Sequence, residues 1–150
     1  MSAVTIHPIL LVDDDENDVF FLERAFKQAQ ISNPLHRVRD GEDAITYLRG
    51  EEQFHDRILH PLPGLMLLDL KMPRKNGFEV IAWVREQPGL KRLSIVVMTS
   101  SKEDPDVNRA YELGANTYLV KPVNFEGLVE MMRALHLYWV ILAEKPTINA

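Results

Sequence analysis

Short apolar runs alternate with segments of helical spacing along the whole chain, and no other feature narrows the possible folds as much. The strong runs are ILLV (9–12), GLMLLDL (64–70) and LSIVVMT (93–99), with LHRV (35–38) and NTYLV (116–120) weaker. Between and after them lie FFLERAFKQA (20–29), DGEDAITYLRG (40–50), NGFEVIAWVREQPG (76–89), EDPDVNRAYELG (103–114) and NFEGLVEMMRALHLYWVILAE (124–144). Phe20, Leu22, Ala25, Phe26 and Ala29 recur at helical spacing, and Gly50, Gly89 and Gly114 supply stop signals. Strands that read apolar throughout belong in a parallel sheet covered on both faces. Right-handed crossovers then leave an α/β doubly wound sandwich of five strands and five helices. Such sheets take ligands outside the C-terminal ends of their strands.

A chain of 150 residues fits one domain, 1–150, with a core expected over 6–143 and a flexible tail over 144–150. With no cysteine there is neither a disulfide framework nor a thiolate metal site, which agrees with a reducing cytoplasm. The net charge of −5 argues against a general nucleic-acid footprint. MSAVTIHP does not read as a signal peptide, and no apolar run approaches the ~18 residues of a membrane span. The expectation is a cytoplasmic protein without nucleic-acid or membrane partners. The link 49–64 exceeds the usual helix-to-strand connection of about 2–6 residues. It reads either as a tolerated surface insertion or as a partner-specific contact.

The strong strands run straight into polar chemistry. The first ends at Asp13, Asp14 and Asp15, the third at Asp69, the fourth at Thr99 and Ser100, and the fifth at Lys121–Pro122. In a parallel sheet these ends meet at one edge. Singly, each has an ordinary explanation: an Asp after a strand caps a helix, a Thr is a good strand residue, a Lys before Pro sits on the surface. Four strand ends supplying one compatible set is harder to assign to loops. Carboxylates about 4 Å apart repel by about 4 kcal/mol at an effective dielectric near 20, so the cluster calls for a cation. An all-oxygen donor set suits Mg²⁺ or Mn²⁺. Lys121 suits a phosphoryl oxygen, Thr99 can donate to another, and Asp69 fits a nucleophile that attacks phosphorus to give an acyl phosphate.

LLVDDDE (10–16), LLDLKMPRKNGFEV (67–80), VVMTSS (96–101) and YLVKP (118–122) together resemble a bacterial response-regulator receiver domain, over nearly the whole chain. The resemblance implies a flavodoxin-like three-layer fold with strand order 2-1-3-4-5. It implies a single-domain response regulator of a two-component phosphorelay, not an enzyme with its own catalytic output. Asp69 would be the phosphoacceptor for a histidine kinase, with Mg²⁺ bound by Asp14, by Asp13 through water, by Asp69 and by the backbone carbonyl of Lys71. Thr99 and Lys121 would hold phosphoryl oxygens, and Tyr118 would be the aromatic switch coupled to Thr99. Lys121–Pro122 would be a cis peptide that orients the lysine. Lys71 and Ser101 would flank the path of attacking water and tune the phosphate lifetime. Asp15 is expected to cap a helix or face solvent. The link 49–64 and LHLYWVIL (135–142) carry a narrower resemblance, to stand-alone receivers that partner phytochrome histidine kinases.

In the last helix, Phe125, Leu128, Val129, Met132, Leu135 and Trp139 form a stripe expected to cover the sheet. Met131, Ala134, Tyr138 and Ile141 form a second, assigned to a homodimer or partner face with Tyr111 and Leu113 nearby; the alternative is packing against neighbouring helices. Two other classes compete for the whole chain. A haloacid-type phosphatase would need Asp-x-Asp followed two residues on by Thr or Val, whereas Asp13 and Asp15 are followed by Asn17. A flavin-binding domain would need a Gly-, Ser- or Thr-rich phosphate loop where DDDEND stands.

Overall fold

Alternation within the strands sorts their side chains into two apolar interiors, one on each face of a single sheet. The computed structural model describes residues 7–142 and 144–149, without the side chains of 140–142; the expected core limits at 6 and 143 lie outside the described residues. The strands are β1 (Ile9–Val12), β2 (Leu35–Val38), β3 (Leu65–Leu68), β4 (Ser94–Thr99) and β5 (Thr117–Val120). All pair in parallel, in the order β2-β1-β3-β4-β5. The helices are α1 (Glu16–Gln28), α2 (Gly41–Arg49), α3 (Gly77–Glu86), α4 (Asp104–Leu113) and α5 (Phe125–Leu135).

Leu10, Val12, Met66, Leu68, Ile95 and Val97 face α2, α3 and α4. Ile9, Leu11, Leu65, Leu67, Val96 and Met98 face α1 and α5. The six residues of β1, β3 and β4 on the α2 to α4 side and the six strand residues on the other are nearly inaccessible to water, which anchors the strands firmly behind whatever their ends carry. In α1 the inward stripe is Val19, Leu22, Ala25 and Phe26, while Phe20 is exposed. The residues at helical spacing therefore divide, Leu22, Ala25 and Phe26 facing inward and Phe20 outward, because the helix starts before its apolar run and turns Val19 inward.

The last helix is regular only to Leu135. From His136 to Leu142 the backbone winds as a π-helix. Val129, Met132 and Trp139 are buried against β1, β3 and β4, with Phe125, Leu128 and Leu135 packed beside them. Of the second stripe, Met131 packs at the margin and Ala134 and Tyr138 are exposed; the side chain of Ile141 lies outside the described residues.

The link 49–64 folds back on α2. The Arg57 guanidinium donates to the carbonyls of Tyr47, Leu48 and His60 at 2.8–3.1 Å, supplying donors to the open end of α2. The segment 144–149 runs beside the end of that link, sharing a cavity with Leu62, Pro63 and Gly64, and the Asn149 N–H meets the Gly89 carbonyl at 2.7 Å. Among the described residues no helix is long and apolar enough to cross a membrane.

Candidate functional site

The sheet delivers its polar ends while still hydrogen-bonded. The Asp69 N–H donates to the Val12 carbonyl at 3.0 Å, and the Lys121 N–H donates to the Thr99 carbonyl at 2.7 Å. Asp13, Asp69, Thr99 and Lys121 therefore inherit the strand register. Carboxylate oxygens of Asp13, Asp14 and Asp69 lie within 4.8 Å of one another. Asp13 is buried, Asp69 partly so, and Asp14 open to solvent.

Lys121 sits inside this acidic ring. Its Nζ is 2.6 Å from Asp18 Oδ2, 3.0 Å from Asp13 Oδ2 and 3.1 Å from Asp69 Oδ2. Burial works to lower its pKa, but the three carboxylates overcome that and hold it well above the ordinary lysine value. Asp13 moves the other way from a simple ion pair. Burial pushes its carboxyl up, beyond what the Asp15 N–H and Lys121 offset, and the charge of Asp69 adds to the rise. One ammonium does not compensate the cluster, and hard oxygen donors at this spacing fit a divalent cation.

The remaining oxygen of Asp69, Oδ1, accepts from the Leu70 N–H at 2.7 Å. Gly77 is required behind it, since a Cβ there would overlap the Asp69 carbonyl and Leu70. The Thr99 hydroxyl is buried with no hydrogen-bond partner among the described residues. An unpaired buried hydroxyl costs about 1–3 kcal/mol, and an incoming anionic oxygen would remove that cost. Beyond Thr99, the Tyr118 hydroxyl donates to the Ser101 carbonyl at 2.7 Å, and Ser101 Oγ donates to Asp106 Oδ2 at 2.6 Å. Tyr118, Ser101 and α4 are thus tied together next to the site.

Asp15 is the N-cap of α1, its Oδ1 accepting from the Asn17 and Asp18 N–H groups at 2.8 and 3.1 Å. Asp18 was not singled out from the sequence, although it lies one helical turn after the strand-end cluster and makes the shortest contact to Lys121. One expectation is corrected: among the described residues no peptide bond is cis, so Lys121–Pro122 is trans. Trans is the more stable isomer of an X–Pro bond. Here the Thr99 carbonyl and three carboxylates already aim the lysine.

The family profile described as response regulator receiver domain matches residues 9–133. Response regulator Rcp1 of Synechocystis sp. is 36% identical over 132 residues, covering 88% of each chain. The solved Mn²⁺-bound form of Rcp1 superimposes with a TM-score of 0.84 at 35% identity, over 94% of this chain and 99% of that one. The phosphorylated cyanobacterial phytochrome response regulator RcpA gives 0.87 at 31% identity, over 95% and 100%. Response regulator RPA3017, in red light signalling of R. palustris, gives 0.88 at 37% identity, over 93% and 99%.

Proposed function

The chain belongs to the response regulator receiver domain family, and from that premise we propose that Asp69 is its phosphoacceptor, charged by a histidine kinase. An Asp69 carboxylate oxygen attacks the phosphorus of a phosphohistidine. The new O–P bond forms as the N–P bond breaks, the electron pair returns to the imidazole nitrogen, and an acyl phosphate results. Asp13, Asp14 and Asp69, with the Lys71 carbonyl, would hold Mg²⁺ or Mn²⁺, which supplies positive charge against the phosphoryl oxygens when bound. Lys121 pairs with one phosphoryl oxygen and the Thr99 hydroxyl donates to another. Movement of Thr99 then reaches the surface through Tyr118, as a shift between two populations.

The observation that carries this reading is the buried, unpartnered Thr99 hydroxyl beside an Asp69 whose Oδ2 lies 3.1 Å from the Lys121 ammonium. Incubation with a small phosphodonor and Mg²⁺ should add the mass of one phosphate, stable to acid and labile to base. Asp69→Asn should abolish the addition, and labelling that persists in that variant overturns the assignment.

For partners, we infer a cytoplasmic histidine kinase of the phytochrome class, by analogy with RcpA. We also infer a second copy of this chain, through α4, β5 and α5. Tyr111 in α4, Val120 in β5 and Tyr138 in the π-helical continuation of α5 support the latter, being 47%, 36% and 67% exposed. Sedimentation with and without phosphodonor tests it: a single monomeric species in both states removes the dimer.

A further inference from the structure

We infer that Arg74 is a positioning residue whose guanidinium, gripped by two carboxylates at the start of α2, fixes the loop 70–76 that forms one wall of the acidic site. This rests on the reading of Asp13, Asp14 and Asp69 as a divalent-cation site, and it concerns what holds that site in shape.

The loop leaves β3 at Asp69 and enters α3 at Gly77. Its residues Leu70, Lys71, Met72, Pro73 and Asn76 share with Asp14 the wall of an open cavity of about 430 Å³. A displacement of the loop therefore changes the space in front of Asp14 and the position of the Lys71 carbonyl together. The loop is closed at its ends, where the Gly77 N–H donates to the Leu70 carbonyl at 2.9 Å, but its tip at Arg74 is not held by local preference. Arg74 has φ +66°, the left-handed region that favours glycine and strains any residue with a Cβ. A backbone in that state persists when its surroundings over-determine it.

The surroundings are α2. Arg74 Nε lies 2.7 Å from Asp40 Oδ2 and Nη2 lies 3.1 Å from Asp40 Oδ1, a two-pronged contact, and Nη2 reaches Asp43 Oδ1 at 2.9 Å. Asp40 cannot swing with its partner. It is buried, and as the N-cap of α2 it accepts the Asp43 N–H at 2.8 Å. Burial would raise the Asp40 carboxyl, but Arg74 and the amides around it bring it below the ordinary aspartate value, so it stays ionised. A second tie runs beside the first: the Gly41 N–H donates to the Lys75 carbonyl at 3.0 Å, so close that a Cβ at 41 would overlap that carbonyl. The helix is itself fixed to the sheet by buried Ala44, Tyr47 and Leu48. Rigidity thus passes from the sheet through α2 and Arg74 to the loop, although Arg74 touches none of the reacting groups.

Mn²⁺ titration of wild-type protein, Arg74→Ala, Arg74→Gly and Arg74→Lys tests this, with amide exchange of the loop measured without metal. Removing an outer support of a metal site typically costs 10- to 100-fold in affinity. Arg74→Ala and Arg74→Gly should both weaken Mn²⁺ binding about tenfold and speed exchange of the 71–76 amides selectively. Arg74→Ala should also lower the metal-free unfolding midpoint, since it leaves buried Asp40 without its cation, and Arg74→Gly should lower it less because the strain at 74 is relieved. Lysine keeps the charge but loses the fork, so Arg74→Lys should recover only part of the affinity. Glycine removes the backbone strain as well as the guanidinium. If Arg74→Gly binds Mn²⁺ like wild type, backbone conformation alone sets the loop and the inference falls. A wild-type protein that binds no Mn²⁺ overturns the metal-site reading and this inference with it; wild-type binding with unchanged variants overturns this inference alone.

Discussion

At the N-terminal edge of the sheet the chain closes itself without carboxylates, through backbone groups and the Arg85 guanidinium, which donates to the Leu93 and Gly114 carbonyls at 2.8 and 2.6 Å. The Ile9 N–H meets the Pro34 carbonyl, the Gly64 N–H meets the Pro8 carbonyl, and the Asn33 amide donates to the His7 carbonyl, all at 2.8–2.9 Å. His7 stands edge-on to Trp139, its pKa lowered by burial and by Lys145, so the ring is neutral at pH 7. At the C-terminal edge the same strands end in Asp13, Asp69 and Lys121, charges left only partly matched. The contrast shows how a stable fold carries an unstable constellation. Strands whose length is apolar and whose other end is closed by satisfied hydrogen bonds can hold like charges together at the tip.

If that division holds, a core change should act alike under all conditions, whereas a change at the charged tip should depend on pH and metal. Leu67→Ala should cost the most, about 3–5 kcal/mol, since Leu67 is fully buried in the α1–α5 interior. Urea unfolding should return the same loss at pH 5 and pH 8, with or without Mg²⁺. A loss that varied with metal would mean that the strand interior and the tip are coupled. Lys121→Met should come next, at about 3 kcal/mol at pH 8, because it strands buried Asp13 without its cation. Deprived of the ammonium, Asp13 would fold with a still higher pKa, so the loss should shrink as pH falls toward 5. Added Mg²⁺ should also reduce it. A pH-independent loss would show that Lys121 stabilises by packing alone.

Asn76→Ala sharpens the comparison from within the charged edge. Asn76 Oδ1 accepts the Glu79 N–H at 3.0 Å, and the Glu79 carboxylate accepts the Asn76 N–H at 3.3 Å, a reciprocal cap on α3. Its removal should cost about 1 kcal/mol, read as a shift in urea midpoint. Although the cap adjoins the acidic cavity, its cost should not respond to Mg²⁺. A metal-dependent loss would make the cap part of the site's support.

Much of the charged edge was legible because parallel pairing converts sequence position into place. Once ILLV, GLMLLDL and LSIVVMT are strands of one sheet, Asp13, Asp69 and Thr99 must share an edge. What stayed hidden depends on side chains reaching across elements. Asp18 reads as one acidic residue in the first turn of a helix, and only the path of Lys121 turns it into a partner. Arg74 and Arg57 read as loop cations, with nothing local to show that they grip the start and end of α2. The π-helical winding of 136–142 leaves the apolar pattern of LHLYWVIL intact, so periodicity alone gave no sign of it. The polar segment 144–149 has no apolar repeat either, yet Ile148 packs against the interior.

Asp13→Asn should give the smallest effect and the most direct test of the partly matched tip. The substitution removes a buried charge, which favours folding, and weakens a hydrogen bond to Lys121, which opposes it. Lys121 keeps Asp18 and Asp69 as partners, so the two contributions nearly offset, leaving a net gain of under about 1 kcal/mol at neutral pH. The sign follows from proton uptake. The folded-state pKa of Asp13 lies above its ordinary 3.8, so the native protein binds more protons than the unfolded chain as pH rises from there. Wild-type stability from this group is therefore complete below about pH 3.8 and is lost as pH climbs through the raised value. The Asn variant lacks that loss, so its advantage in metal-free protein should open with rising pH and vanish in acid. With Mg²⁺ present the order should reverse, because the wild-type carboxylate then gains a ligand the amide serves poorly. Equal stabilities at every pH in metal-free protein would mean that Asp13 is fully compensated by Lys121, and the division between the two edges would lose its energetic basis.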